Sequence, residues 1–193
     1  MLDVSRLPNV IAVGAPVRRS GKGTIANVLI NEYGYEQFSF ALPIKAMFAT
    51  LCLMHDIPAT ALPDILGGAR KEEGILELGL SLREFAEGVG TTWGRNMVDP
   101  DLWVDMAARR ATKALLAGKR LVMDDARFEN EVNLAYELGG CAVYVVRPVA
   151  NGGFIPTLAS EGHLTNAIFS HEFINDGTVA DLEQQVRHWV NQI

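Results

Sequence analysis

Val10-Ile11-Ala12-Val13-Gly14, six further residues, and then Gly21-Lys22-Gly23-Thr24 follow the order of strand, loop and helix. The apolar run suits a strand buried on both faces. Ile25, Val28 and Leu29 then recur at helical spacing. Backbone N–H groups at a helix start point outward, and the helix dipole favours an anion there. Lys22 adds a flexible point charge for the outer phosphates of a nucleotide, and Thr24 offers a hydroxyl near a metal. The expectation is a nucleotide-binding enzyme that transfers a phosphoryl group, with Ser20, Gly21, Lys22, Gly23 and Thr24 holding the donor phosphates. The alternative is a glycine-rich turn with Arg18 and Arg19 solvated. It leaves the strand before the loop and the helix after it without a role.

The loop departs from the usual phosphate-loop spacing of glycine, four residues, Gly-Lys-Ser/Thr. Six residues separate Gly14 from Gly21, Pro16 stands where the first glycine is expected, and the hydroxyl follows Lys22 by two places. Gly-Lys-Gly-Thr is also the form seen in adenylate kinase and its relatives.

A chain of 193 residues is enough for one sizeable core and at most one inserted lobe. The net charge of −6 argues against a nucleic-acid-binding surface, which would be basic. Cys52 and Cys141 lie among apolar neighbours and read as small core residues in a reducing compartment. No signal segment and no membrane-crossing apolar run is recognisable, so a cytoplasmic location is expected. His55, His163, His171 and His188 lack the spacing of a zinc site.

Strands and helices alternate along the chain, which implies an α/β fold with a parallel sheet covered on both faces. Phe38-Ser39-Phe40 reads as a short strand. Ile44, Met47, Phe48 and Leu51 form one apolar helix face, and Leu82, Phe85, Ala86 and Val89 another. Residues 56–80, rich in Pro, Gly and charge, read as a mobile insertion with little regular structure. Asp99-Pro100 opens a helix with Leu102, Trp103 and Met106 on its buried side. Leu121-Val122-Met123 is a buried strand, followed by a helix through Val132, Ala135 and Tyr136 that stops at Gly139-Gly140. Cys141 to Val146 is a further strand, and Val179, Leu182, Val186, Trp189 and Val190 mark the last helix. Residues from Pro148 to about Gly162 read as a loop or lid.

Asp124-Asp125 closes the 121–123 strand, where a phosphate-loop enzyme needs a carboxylate to organise magnesium. The same pair also suits a helix N-cap, and two aspartates can serve one need each. Phosphoryl transfer spreads negative charge that arginines neutralise. Arg83, Arg95, Arg127 and Arg147 each sit near the end of an element, although surface arginines are often simply solvated. Gly90 and Gly94 in Gly90-Thr91-Thr92-Trp93-Gly94-Arg95 read as a turn that lets backbone approach a ligand. Phe40 and Trp103 are either flat surfaces for a base or core aromatics.

Five segments carry a resemblance: 20–24; Phe38-Ser39-Phe40-Ala41-Leu42-Pro43-Ile44-Lys45; Gly90 to Arg95 with Asp101-Leu102-Trp103-Val104; Asp125-Ala126-Arg127-Phe128-Glu129-Asn130-Glu131; and Ile174-Asn175-Asp176-Gly177-Thr178. Together they resemble the phage-type deoxynucleoside monophosphate kinases, relatives of adenylate kinase among the P-loop kinases. The likeness covers nearly the whole chain, and Gly-Thr-x-x-Gly-Arg and Asp-x-Arg-Phe-x-Asn-Glu are its most specific parts. It implies a P-loop three-layer sandwich over residues 1–193, with an acceptor-binding insertion at about 41–103 and a lid-like loop at about 148–166. It implies transfer from ATP, with Mg2+, to a (deoxy)nucleoside monophosphate, giving the diphosphate, in bacterial or phage-infected cytoplasm. Lys22 and residues 20–24 would hold the donor, and Asn175 would lie beside its base. Asp125, with Thr24, would organise the metal, directly or through water. Phe40, Lys45, Arg83, Arg95 and Trp103 would line the acceptor pocket, and Arg127 and Arg147 would sit near the transferred phosphate or lid. No nucleic-acid or membrane partner is implied, and a homodimer is left open.

Leu42 stands where the family often has Asp, Gly23 replaces a frequent Asp, and Asn166 replaces an acid in a weak version of the lid segment. These departures bear on donor and acceptor preference. Two other readings stay open: a P-loop kinase of another small molecule, similar to dephospho-coenzyme A kinase, and a non-catalytic nucleotide-binding module.

Overall fold

Val10–Gly14 forms strand β1, buried at every position. The fold is seen in a computed structural model that describes residues 6–16, 18–67, 70, 73–75, 78–148, 164 and 168–193. Four more strands join β1: β2 (Tyr35–Phe38), β3 (Arg120–Met123), β4 (Cys141–Val146) and β5 (His171–Ile174). All pairings are parallel, in the order β2-β3-β1-β4-β5. Parallel neighbours need crossover helices, and here these cover both faces.

Side-chain alternation divides the strands between two cores. Ile11, Val13, Val122, Val143 and Val145 pack with helices α1 (Lys22–Tyr33) and α7 (Val179–Val190). Val10, Ala12, Leu121, Met123, Ala142 and Tyr144 pack on the other side with α5 (Leu102–Leu116) and α6 (Glu129–Glu137). On α5 the stripe Trp103, Ala107, Ala111 is buried. Small alanines at helical spacing let that helix lie close to the sheet. The crossover from β1 through α1 leads to one side of the sheet, and that from β3 through α6 leads to the other. The connections therefore part at β1, which makes its carboxyl end the topological switch point where ligands bind in open α/β sheets.

The chain divides into two compact units, one built from Met1–Phe40 with Val104–Ile193, the other from Ala41–Trp103. The second unit is helical: α2 (Leu42–Met54), a short 3-10 turn (Ala59–Ala61), α3 (Leu62–Leu66) and α4 (Leu82–Glu87). Its core is Phe48, Cys52, Ile57, Ile65, Ile75 and Leu82, with the Phe85 ring tilted against Phe48 at a centroid distance of 5.1 Å. Among the described residues no helix is long and apolar enough to cross a membrane.

Several expectations need correction. Residues 56–80 were expected to hold little regular structure. They contain a 3-10 turn and α3, and their isoleucines anchor the second unit's core. The strand expected at Phe38 to Phe40 runs instead over Tyr35–Phe38, because Tyr35 and Phe38 supply the inward positions. On α2 the buried stripe is Ile44, Phe48 and Cys52, whereas Met47 and Leu51 face outward. Helix α5 begins at Leu102, two residues past Pro100, and Met106 is exposed. Strand β5 went unread because its four residues, His-Glu-Phe-Ile, carry one apolar residue on the buried face. The lid expected at about 148–166, with Asn166, lies outside the described residues apart from Pro148 and Leu164.

The expected turn at Gly90 to Arg95 is instead part of a π-helical stretch, Gly88–Val98, which continues from α4. Its wider winding appears in the bond from the Asp99 N–H to the Gly94 carbonyl, 2.9 Å. The Trp103 indole N–H donates to the Gly90 carbonyl at 2.8 Å, and its ring lies against Gly94. A Cβ on Gly94 would come within 2.5 Å of that indole. Gly94→Ala is therefore expected to cost about 1–3 kcal/mol of stability through overpacking. Urea unfolding checks this, and an unchanged midpoint would mean that the ring moves aside freely.

Candidate nucleotide site

Parallel strands bring their carboxyl ends to one edge. That edge gathers the loop leaving β1, Ser39 after β2, Asp124 and Asp125 after β3, Arg147 after β4 and Asn175 after β5. The loop enters α1 through Gly21, whose φ of 119° and ψ of 7° lie in the left-handed region that favours glycine. A Cβ at Gly21 would come within 2.7 Å of Leu182 and 2.8 Å of the Asn175 amide. The Asn175 Nδ2 donates to the Ser20 carbonyl at 2.8 Å, and Ser20 and Asn175 are both buried. The last strand thus braces the loop from behind.

Helix α1 has no side-chain cap and no acidic residue in its first turn. Helices α4 and α7 contrast with it. Ser81 with Glu84, and Thr178 with Asp181, close their starts with reciprocal capping bonds. A helix start without such a cap suits an anion supplied from outside.

The two aspartates differ. Asp124 accepts from the Gln37 Nε2 on both carboxylate oxygens, at 3.1 and 3.3 Å. Burial pushes its carboxyl above the usual range. The Asp125 charge adds to the rise, while Gln37 and the Lys22 ammonium oppose it. Asp125 accepts from the Ser39 Oγ at 2.5 Å and from the Phe40 N–H at 3.1 Å.

Arg110 is the site residue that sequence reasoning missed. Its Nη2 donates to the Ser39 carbonyl at 2.8 Å, and its guanidinium lies 4.5 Å from the centre of the Phe38 ring. Burial lowers its pKa, and the nearby Asp125 carboxylate opposes that shift. The one sequence clue was a charged residue beside the buried Ala107 and Ala111 stripe.

The edge of the first unit therefore brings together Ser20, Gly21, Lys22, Gly23, Thr24, Asp125 and Asn175. Arg127 and Arg147 leave the same edge with exposed side chains. The Arg127 and Phe128 N–H groups donate to the buried Glu131 at 2.6 and 3.2 Å, which caps α6. Phe40 is 3% exposed and packs edge-on to Phe38, so its ring belongs to the core. In the second unit Lys45 lies on α2 and Arg83 on α4, while Arg95 and Trp103 are buried. The Arg95 Nη1 donates to the Pro100 carbonyl at 2.6 Å, and Trp103 serves as a strut for the π-helical stretch.

Among the described residues no three His, Cys, Asp or Glu side chains gather as a metal site. One hydroxyl at Thr24 and one strand-end carboxylate suit an ion that takes its other ligands from phosphates and water, as Mg2+ does.

No protein-family model matches the chain, and no curated protein matches it. Similar solved structures include an unliganded sugar kinase from Janibacter sp. HTCC2649, 16% identical, with 94% of each chain covered and a TM-score of 0.48. A dephospho-CoA kinase from Campylobacter jejuni is 14% identical, covering 95% of this chain and 96% of that one, with a TM-score of 0.45.

Removing the brace should loosen the loop. Asn175→Ala is expected to cost about 1–3 kcal/mol in stability and to weaken nucleotide binding. Asn175→Asp should be worse, because it turns a carboxylate toward the Ser20 carbonyl. Thermal unfolding and nucleotide titration check both variants.

Proposed function

We propose that this protein is an ATP-dependent phosphotransferase whose acceptor is a nucleoside or deoxynucleoside monophosphate and whose product is the diphosphate. The observation that carries the reading is the uncapped start of α1, with Lys22 on it, at the sheet's switch point beside a strand-end carboxylate. The resemblance of the 90–104 and 125–131 segments to deoxynucleoside monophosphate kinases supports the choice of acceptor.

In this reading the 20–24 backbone and Lys22 hold the donor phosphates. Lys22 matters most as charge builds on the group in transit. Thr24 and one carboxylate of the Asp124–Asp125 pair would hold Mg2+, which would neutralise charge on the phosphates when bound. Arg95 grips the acceptor phosphate, with Lys45 and Arg83 lining that pocket. Arg127 and Arg147 neutralise the group in transit or serve the lid. The reaction needs little covalent participation from the protein, so positioned cations and dipoles supply most of the acceleration.

A coupled assay with ATP and a panel of ribo- and deoxyribonucleoside monophosphates tests the proposal. Turnover of at least one supports it, and no turnover of any, with ATP bound, overturns the acceptor class. Lys22→Ala is expected to lower kcat on the order of a hundredfold or more while the fold stays intact. Arg95→Lys keeps the charge but loses the bidentate fork. KM for the monophosphate should then rise strongly while ATP affinity changes little. Loss of ATP binding with monophosphate binding retained would assign Arg95 to the donor.

A further inference from the structure

We infer that the adjacent aspartates have separate tasks: Asp124 is the carboxylate that works with Lys22 on the metal and phosphate side, and Asp125 is a positioning residue that, with Arg110, holds Ser39 and Phe40. The metal half rests on the phosphotransferase reading above.

The argument starts from alternation along β3. Val122 belongs to the core shared with α1 and α7, and Met123 to the core shared with α5 and α6. Side chains alternate at each residue, so Asp124 returns to the α1 side and Asp125 to the α5 side. The partners agree on both counts. Asp124 meets Gln37, whose neighbour Phe38 points the other way, and feels the Lys22 charge from α1. Asp125 feels the Arg110 charge from α5.

Asp125 also has a structural occupation on that side. One of its oxygens takes the Ser39 hydroxyl and the other the Phe40 N–H. Arg110 takes the Ser39 carbonyl in the same turn and lies over the Phe38 ring. Three polar groups of the turn after β2 are thus held by two side chains of opposite charge, Asp125 and Arg110, at the end of the sheet. The Arg110 Nη1 is buried with no hydrogen-bond partner, which makes the Asp125 charge more valuable to this cluster. Phe40 is the last residue of the first unit, and the segment assigned to the acceptor begins at the next position. An error in this turn should therefore be felt on the acceptor side of the reaction.

The test separates donor from acceptor. ATP binding is titrated calorimetrically with Mg2+ and with EDTA. KM is measured for a monophosphate the wild-type protein turns over, and Tm is recorded for every variant. Asp124→Asn should lose the magnesium-dependent part of ATP affinity, about tenfold or more, with Tm and acceptor KM little changed. Asp125→Asn and Ser39→Ala should keep that part, raise acceptor KM several-fold, and lower Tm by about 2–8 °C. Ser39→Thr, which retains the hydroxyl, should restore both. If Asp125→Asn does not fold, Ser39→Ala and Ser39→Thr decide the positioning half. Loss of the magnesium effect in Asp125→Asn with its retention in Asp124→Asn overturns the division. A fall in Tm with acceptor KM unmoved overturns the positioning role. If the wild-type protein binds no ATP, the phosphotransferase reading fails and takes the metal half with it. The Tm comparison of Ser39→Ala, Ser39→Thr and Asp124→Asn then still decides whether Asp125 and Ser39 form the brace.

Discussion

Strand β1 is hydrogen-bonded on both sides and buried on both faces, and the first unit is arranged around that constraint. A strand with no exposed face can carry no polar side chain, hence Val-Ile-Ala-Val-Gly. With parallel neighbours on both sides, the chain must leave by a crossover, and the crossovers lie on opposite faces. The first point at which the chain can meet solvent is the carboxyl end of β1. The loop that leads through Ser20 and Gly21 into α1 is placed there by topology, before any specific residue in it is considered.

The same geometry decides which side chains can act together. Lys22 starts a helix packed against Ile11, Val13 and Val122, so a carboxylate that shares its field must leave β3 on that face. Asn175 leaves the far strand and reaches the Ser20 carbonyl from behind the loop. Its amide holds the backbone, which leaves the front of the loop for an incoming anion. Specificity of position is thus assembled from short contacts between strand ends, whereas the apolar packing comes from the first unit's two cores and the second unit's own.

Much of this was legible in the sequence. The strand, loop and helix of residues 10–33 could be read because burial on two faces leaves an unbroken apolar run, and because glycine marks the left-handed entry at Gly21. Strands β3 and β4 were readable for the same reason. Strand β5 was not, since an edge strand with one buried residue has too little periodicity to be seen. The π-helical stretch escaped because its glycines carry the signature of a turn, and only the packing of Trp103 on Gly94 shows why they are there. Isoleucines scattered over 56–80 looked like loop because they have no helical or strand period of their own, and their core partners Phe48, Cys52 and Leu82 lie on the flanking helices. The aspartate pair was seen, and the sequence reading gave the metal to Asp125. The inference that favours Asp124 instead depends on which face of β3 carries α1, a tertiary fact. Arg110 was hidden for the same reason, since nothing local to α5 reveals Ser39 across the sheet end.

Hydrogen–deuterium exchange with and without MgATP tests the central claim most directly, that the switch point at the end of β1 is the nucleotide site. The account predicts slowed exchange of the amides at residues 20–25 and at 174–176, where Asn175 braces the loop. Protection confined to other parts of the chain, or none at saturating nucleotide, would contradict it.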